Sequence, residues 1–142
     1  MFPIKPFKIG LSTELISELT KVYGCRSLDV SADGTTIVYE SYSGLHTEIF
    51  TIKTDGSDRR KLTVDSPGNN RFPRFSPDGK RIVYTAIDEN TVAHIVIMDT
   101  DGKNREILTS ETDRLDREPS FSPDGQFIVF TGSSDWYDHY YR

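Results

Sequence analysis

One run of residues recurs along the chain and constrains the fold more than any other feature. Arg71-Phe72-Pro73-Arg74-Phe75-Ser76-Pro77-Asp78-Gly79-Lys80-Arg81-Ile82-Val83-Tyr84-Thr85 returns as Arg117-Glu118-Pro119-Ser120-Phe121-Ser122-Pro123-Asp124-Gly125-Gln126-Phe127-Ile128-Val129-Phe130-Thr131. An earlier, more divergent copy runs from Arg26 to Tyr39 around Ser31-Ala32-Asp33-Gly34. The turn serines stand at 31, 76 and 122, so the steps are 45 and 46 residues. A fixed period of this length marks one supersecondary unit repeated, each copy burying its apolar faces against its neighbours.

The middle copy shows what the unit is. Residues 71–75 read as a short strand, a, in which Pro73 is tolerated only where no ladder donor is needed. Ser76-Pro77-Asp78-Gly79 is a turn with a mechanism: proline presets φ, aspartate bonds to nearby backbone, and glycine supplies a positive φ. Strand b follows over 80–85, strand c over 94–98, and Asp101-Gly102 turns the chain into a polar strand d over 104–109. Strands b and c carry unbroken β-branched and aromatic runs, which implies burial on both faces. Strand d, with Arg105-Glu106 here and Arg59-Arg60-Lys61 one copy earlier, reads as a wet outer edge. The predicted fold class is all-β: a β-propeller of four-stranded antiparallel blades.

The pattern resembles the TolB-type β-propeller repeat, whose core is Pro-x-Phe-Ser-Pro-Asp-Gly-Lys-x-Ile-Val-Phe/Tyr-Thr followed by Ile-x-x-Met-Asp-x-Asp-Gly and Leu-Thr. Residues 72–109 match closely, 118–131 match its first half, and 28–63 match loosely, with Leu28 and Ala32 standing where the other copies have proline. The resemblance implies a six-bladed ring and a role in protein–protein interaction. Repeats of this type also form the propeller that gates some prolyl-oligopeptidase-like serine peptidases, where the chemistry belongs to a separate hydrolase domain.

The third copy stops after strand b, and the N-terminus offers the complement. Aligning Leu19-Thr20 with Leu62-Thr63 places Phe7 on Phe50 and Ile9 on Ile52, so residues 1–20 read as strands c and d of a split blade. Residues 21–63 and 64–109 are then two whole blades, and 110–142 supply strands a and b of the split one, a single propeller unit over 1–142. Three blades' worth of strands cannot surround an axis, since propellers have roughly four to eight. The expectation is a homodimer in which two chains complete a six-bladed ring; the competing reading is a piece of a longer propeller.

Composition limits the partners. With 17 basic and 22 acidic residues the formal charge is −5, which argues against nucleic acid. The Arg59-Arg60-Lys61 and Lys80-Arg81 clusters read as solvated. Cys25 is the sole cysteine, so no intrachain disulfide forms, and it reads as a small buried hydrophobe. No apolar run approaches a membrane span, and residues 1–6 lack the pattern of a signal peptide. The chain as written is expected in the cytoplasm, or in the periplasm if a leader was removed.

Candidate binding residues come from the loop face shared by the d-to-a and b-to-c connections. Every copy places an arginine five residues before its turn serine, Arg26, Arg71 and Arg117, near the propeller axis. These guanidinium groups suit a carboxylate, a phosphate or an acidic tail at a channel mouth. The alternative is that each bridges to an acidic residue or carbonyl of a neighbouring blade. Tyr42, His46, Asp88, Glu89, His94, Trp136, Tyr137 and His139 populate the same face as a candidate partner-binding surface. The histidines fall one per repeat in poorly matched registers, so no metal is expected, and Asp99-Thr100-Asp101-Gly102 lacks the glycine position and glutamate of a calcium loop. No Gly-x-Ser-x-Gly elbow or phosphate-cradling glycine loop is present, and no cofactor is implied. The expected function is a non-enzymatic scaffold that binds a protein or peptide through its loop face or central channel. The rivals are an axial site for a small anionic ligand or glycan, binding or hydrolytic, and the gating propeller fragment of a larger protein.

Overall fold

The computed structural model describes residues 25–64, 66–109 and 115–133. These form strands without a helix. The first sheet is a meander of β1 (Arg26–Val30), β2 (Thr36–Ser43), β3 (His46–Lys53) and β4 (Arg60–Lys61), every neighbouring pair antiparallel. The second repeats the plan with β5 (Asn69–Phe75), β6 (Arg81–Ile87), β7 (Ala93–Asp99) and β8 (Glu106–Ile107). A third hairpin, β9 (Leu115–Phe121) with β10 (Ile128–Ser133), joins the second sheet through one parallel bridge, Ala93 to Leu115. These are the a-b-c-d, a-b-c-d and a-b units expected from the repeat. The segments expected as a split-blade c-d over residues 1–20, and Trp136, Tyr137 and His139, lie outside the described residues.

Each a-to-b turn is built the same way. Ser31 Oγ donates to Asp33 Oδ1 at 2.6 Å, Ser76 Oγ to Asp78 at 2.6 Å and Ser122 Oγ to Asp124 at 2.5 Å. Each serine Oγ then accepts the amide five residues on, and each aspartate accepts the amide two residues on. These bonds stabilise the carboxylate form: Asp33 is lowered to about 2, and Asp78 and Asp124 are also lowered, in each case chiefly by the serine. A depressed carboxylate contributes stability that is present above its unfolded value, near 3.8, and is lost as pH falls through the folded value. The melting temperature of the native chain should therefore exceed that of an Asp33→Asn/Asp78→Asn/Asp124→Asn variant at pH 5, and the gap should narrow between pH 4 and 2. A gap unchanged over that range would remove these turns from the acid response.

Strand a carries a bulge in all three copies. Ser27, Phe72 and Glu118 occupy equivalent positions and have φ of 39°, 56° and 54°. The ladder skips there: Arg71 pairs with Thr85, but the next pair is Arg74 with Val83. This is why Pro73 and Pro119 are tolerated inside strands, since the bulge leaves no ladder bond for them to break. A left-handed non-glycine residue costs about 1–2 kcal/mol, so something must hold it in place.

The core lies between sheets. Val38, Ile49 and Leu62 of the first blade pack with Phe75, Ile82, Tyr84, Val96 and Met98 of the second. Each such side chain contributes about 1.5–3 kcal/mol on burial. Ile37, Tyr39, Phe50 and Ile52, on the opposite face of the first blade, form a second buried cluster with Cys25 against it. Strands β2, β3, β6 and β7 are thus buried on both faces, as their unbroken apolar runs predict, while β4 and β8 lie at the wet rim. The basic rim cluster is solvated, as the sequence suggests, but its side chains have partners. Arg59 donates to Tyr39 Oη at 2.9 Å and lies 4.3 Å over the Phe50 ring, and Lys61 pairs with Glu48 at 2.8 Å. Arg59 stays exposed as a residue, as does Arg60, which pairs with Asp58.

Candidate functional site

The antiparallel order brings the starts of strands a and the b-to-c connections to one end of the blades. At that end, between the first two blades, lies a cleft of about 250 Å³ lined by Arg26, Glu40, Tyr42, Thr47, Asn69, Arg71 and Ile87. Two of the three expected arginines meet here. Arg117 is half-buried one blade further on, where its carbonyl accepts Thr131 Oγ1 at 3.1 Å.

Glu40 organises the cleft. The polar stretch from Glu40 to Thr47 suggests a b-to-c loop, but β2 runs on to Ser43 and turns tightly into β3 at His46. Glu40 is therefore a strand residue, buried, with its side chain directed at the next blade. Its Oε2 accepts the Phe72 amide at 2.7 Å, which pins the bulge, and its Oε1 faces Arg71 Nε and Nη2 at 3.4 and 3.5 Å. The Arg71 guanidinium also lies 4.7 Å over the Phe72 ring. Arg71 is thus held by a neighbouring blade's acid. The third blade position has no such acid: Thr85 and Thr131 stand where Glu40 does, and the buried Thr85 hydroxyl has no hydrogen-bond partner among the described residues. Arg26 is exposed and forms no ion pair with the described residues.

Further polar bonds fasten the same junction. Asp29 Oδ2 accepts the Phe75 amide at 2.9 Å, Arg74 Nη1 donates to Ser27 Oγ at 3.2 Å, and Asn69 Oδ1 accepts from Thr47 N at 2.9 Å and Thr47 Oγ1 at 3.1 Å. Below them the buried Glu48 accepts from Thr63 Oγ1, Asn70 Nδ2 and Lys61 Nζ. At the other end, Arg105 Nη2 reaches back to the Leu62 carbonyl at 2.7 Å. Sequence reading did not identify Asn69, Asn70 or Glu48, which stand beside other polar residues at the starts of β5 and β3 and carry no distinguishing local signal.

The remaining candidates spread around the same end. Tyr42 and His46 are exposed at the tip of the first blade. Asp88 is a turn former, its Oδ1 accepting from Asn90 N and Val92 N at 2.9 Å each, and Glu89 beside it is exposed. His94 is half-buried with Nδ1 at 2.9 Å from the Thr109 carbonyl. Among the described residues no three His, Cys, Asp or Glu side chains converge as metal ligands. The Cys25 thiol is pushed up by burial and by the nearby Glu40 charge, which disfavours the reactive thiolate. No helix among the described residues is long and apolar enough to cross a membrane.

The family described as the TolB β-propeller domain matches residues 7–139. A protein of Agrobacterium tumefaciens assigned as TolB superposes with a TM-score of 0.75 at 26% identity, over 84% of this chain and 43% of that one. TolB of Acinetobacter baumannii superposes with a TM-score of 0.63 at 22% identity, over 77% of this chain and 26% of its own. Dipeptidyl-peptidase 5 of Porphyromonas gingivalis is 36% identical over 80 residues, 52% of this chain and 11% of the peptidase. The chain thus spans less than half the length of each of these relatives. The match covers the first-blade copy as well as the two stronger ones, and with it the chain belongs to the TolB β-propeller domain family.

Proposed function

We propose that the chain is a non-enzymatic propeller scaffold that binds a protein or peptide at the loop end, and that it works as a two-chain, six-bladed ring. The observation that carries the ring is the exposure of equivalent positions in successive blades. Val38 and Val83 are fully buried in the first two blades, whereas Val129, at the same position of β10, is 61% exposed. At the other end, Val30 of β1 is 45% exposed where its counterpart Phe75 is 9% exposed. Leu28, Phe127 and Phe130 are exposed as well. An apolar strand face left open at each end of a repeat array is what a neighbouring blade covers. A second copy, related by a closed twofold, covers both ends at once.

The binding face is supported by Tyr42, His46, Asp88 and Glu89, which stand on short hairpin tips beside the arginine cleft and are held by the rigid sheets beneath. The cleft itself favours the second reading, an anionic ligand at the channel mouth, since it gathers two guanidinium groups. Panning a random peptide library against the folded chain tests the scaffold. Recovered peptides should bind at least about tenfold more weakly to Tyr42→Ala or His46→Ala, as for an aromatic anchor at an interface. A library that yields no binder, or binders indifferent to both changes, would overturn the reading.

A further inference from the structure

The cleft between the first two blades is more selective than a ring of arginines. We propose that it takes a single carboxylate, with Arg26 as the principal ligand. This rests on the loop end being the binding face. The donors converge on the cleft, and the one carboxylate among its lining residues, Glu40, is already engaged by Arg71 and the Phe72 amide. Arg26 is unpaired among the described residues, and Arg71 spends Nε and Nη2 on Glu40, leaving Nη1. Asn69 has its Oδ1 held by Thr47, so its amide nitrogen is the atom left to face the cleft. Tyr42 adds a hydroxyl at the rim.

Charge and size define the ligand. Two arginines against Glu40 leave one positive charge at the cleft, which balances a monoanion and under-compensates a phosphate dianion. A planar carboxylate accepts from a guanidinium in parallel, the geometry arginine is suited to. About 250 Å³ accommodates the end of a peptide and not an oligosaccharide, and Ile87 supplies an apolar wall for one small side chain. Glu40 has a second role here: it holds Arg71 in place so that its free edge is preset. The carboxylate has two sources, a peptide C-terminus or an aspartate or glutamate side chain.

Three fluorescein-labelled peptides separate them by anisotropy: Gly-Ala-Gly-Ala-Leu with a free carboxylate, its C-terminal amide, and the amide carrying an internal aspartate. Binding of the free acid with loss in the plain amide assigns the C-terminus; equal binding of the aspartate peptide extends the site to acidic side chains. In either case Arg26→Gln should weaken binding by about tenfold or more, as for loss of a charge-assisted bidentate bond, with Arg60→Gln at the far end as an unaffected control. Acetate should compete better than inorganic phosphate. An amide that binds as well as the acid, an indifferent Arg26→Gln, stronger competition by phosphate, or no binding of any of the three would overturn the carboxylate site. Library peptides that still depend on Tyr42 and His46 would in that event leave the scaffold standing, whereas an empty library would remove both.

Discussion

Gly68→Ala is expected to destabilise the chain by about 4 kcal/mol or more, among the largest effects a single methyl group can have. Gly68 is buried immediately before β5, with φ of 85°. A Cβ there would sit 1.9 Å from the Ile87 carbonyl oxygen and 3.0 Å from its carbon. Ile87 ends β6 and pairs with Asn69, so the clash is backbone against backbone and neither side can yield without opening the hairpin. Left-handed backbone alone would cost alanine only about 1–2 kcal/mol. Gly44→Ala isolates that smaller contribution, because Gly44 has φ of 70° and nothing lies within 4 Å of its Cβ position. Urea denaturation of the two variants should separate them by at least about 2 kcal/mol. Equal losses would mean that the close approach of strand a to strand b is not a constraint.

Glu40→Ala should be the most costly polar change, at about 2–3 kcal/mol. The residue is 1% exposed, and its removal orphans the Phe72 amide in a bulge that is already strained. The Arg71 side chain is 32% exposed and can be rehydrated, which holds the loss below that of a fully buried pair. Glu40→Gln keeps an oxygen for the Phe72 amide and should cost about half as much. A double-mutant cycle with Arg71→Ala measures the share due to the ion pair, which should be the smaller part. If Glu40→Ala were as mild as an exposed substitution, the bulge would not depend on its clip.

The fold was legible because the repeat states its own punctuation. Ser-Pro-Asp-Gly at 76–79 fixed the a-to-b turn, and the continuous Ile82-Val83-Tyr84 and Ile95-Val96-Ile97-Met98 runs announced strands buried on both faces. What was illegible is what one repeat does to the next. The bulge puts Ser27, Phe72 and Glu118 at positive φ although none is glycine; Pro73 and Pro119 signal a missing ladder bond in two copies, but nothing local signals the left-handed backbone or the first copy's bulge. Glu40 looked like a loop residue because the two-residue turn at Gly44-Leu45 is shorter than the polar stretch around it. Its partners lie 31 and 32 residues away, beyond the reach of any local pattern. The arginine positions were visible from the repeat, but only the structure separates Arg71, held by Glu40, from the exposed Arg26. The partners of Arg59 hid for a different reason: a solvated basic triplet gives no local sign of Tyr39 and Phe50 beneath it.

The central claim is that the open strand faces at the two ends of the array are closed by a second copy. Light scattering behind a sizing column measures it most directly. The account predicts a mass near twice 16.1 kDa for the native chain, and a shift to a single chain when Val129 is changed to Asp. A well-folded native species of 16.1 kDa would contradict it.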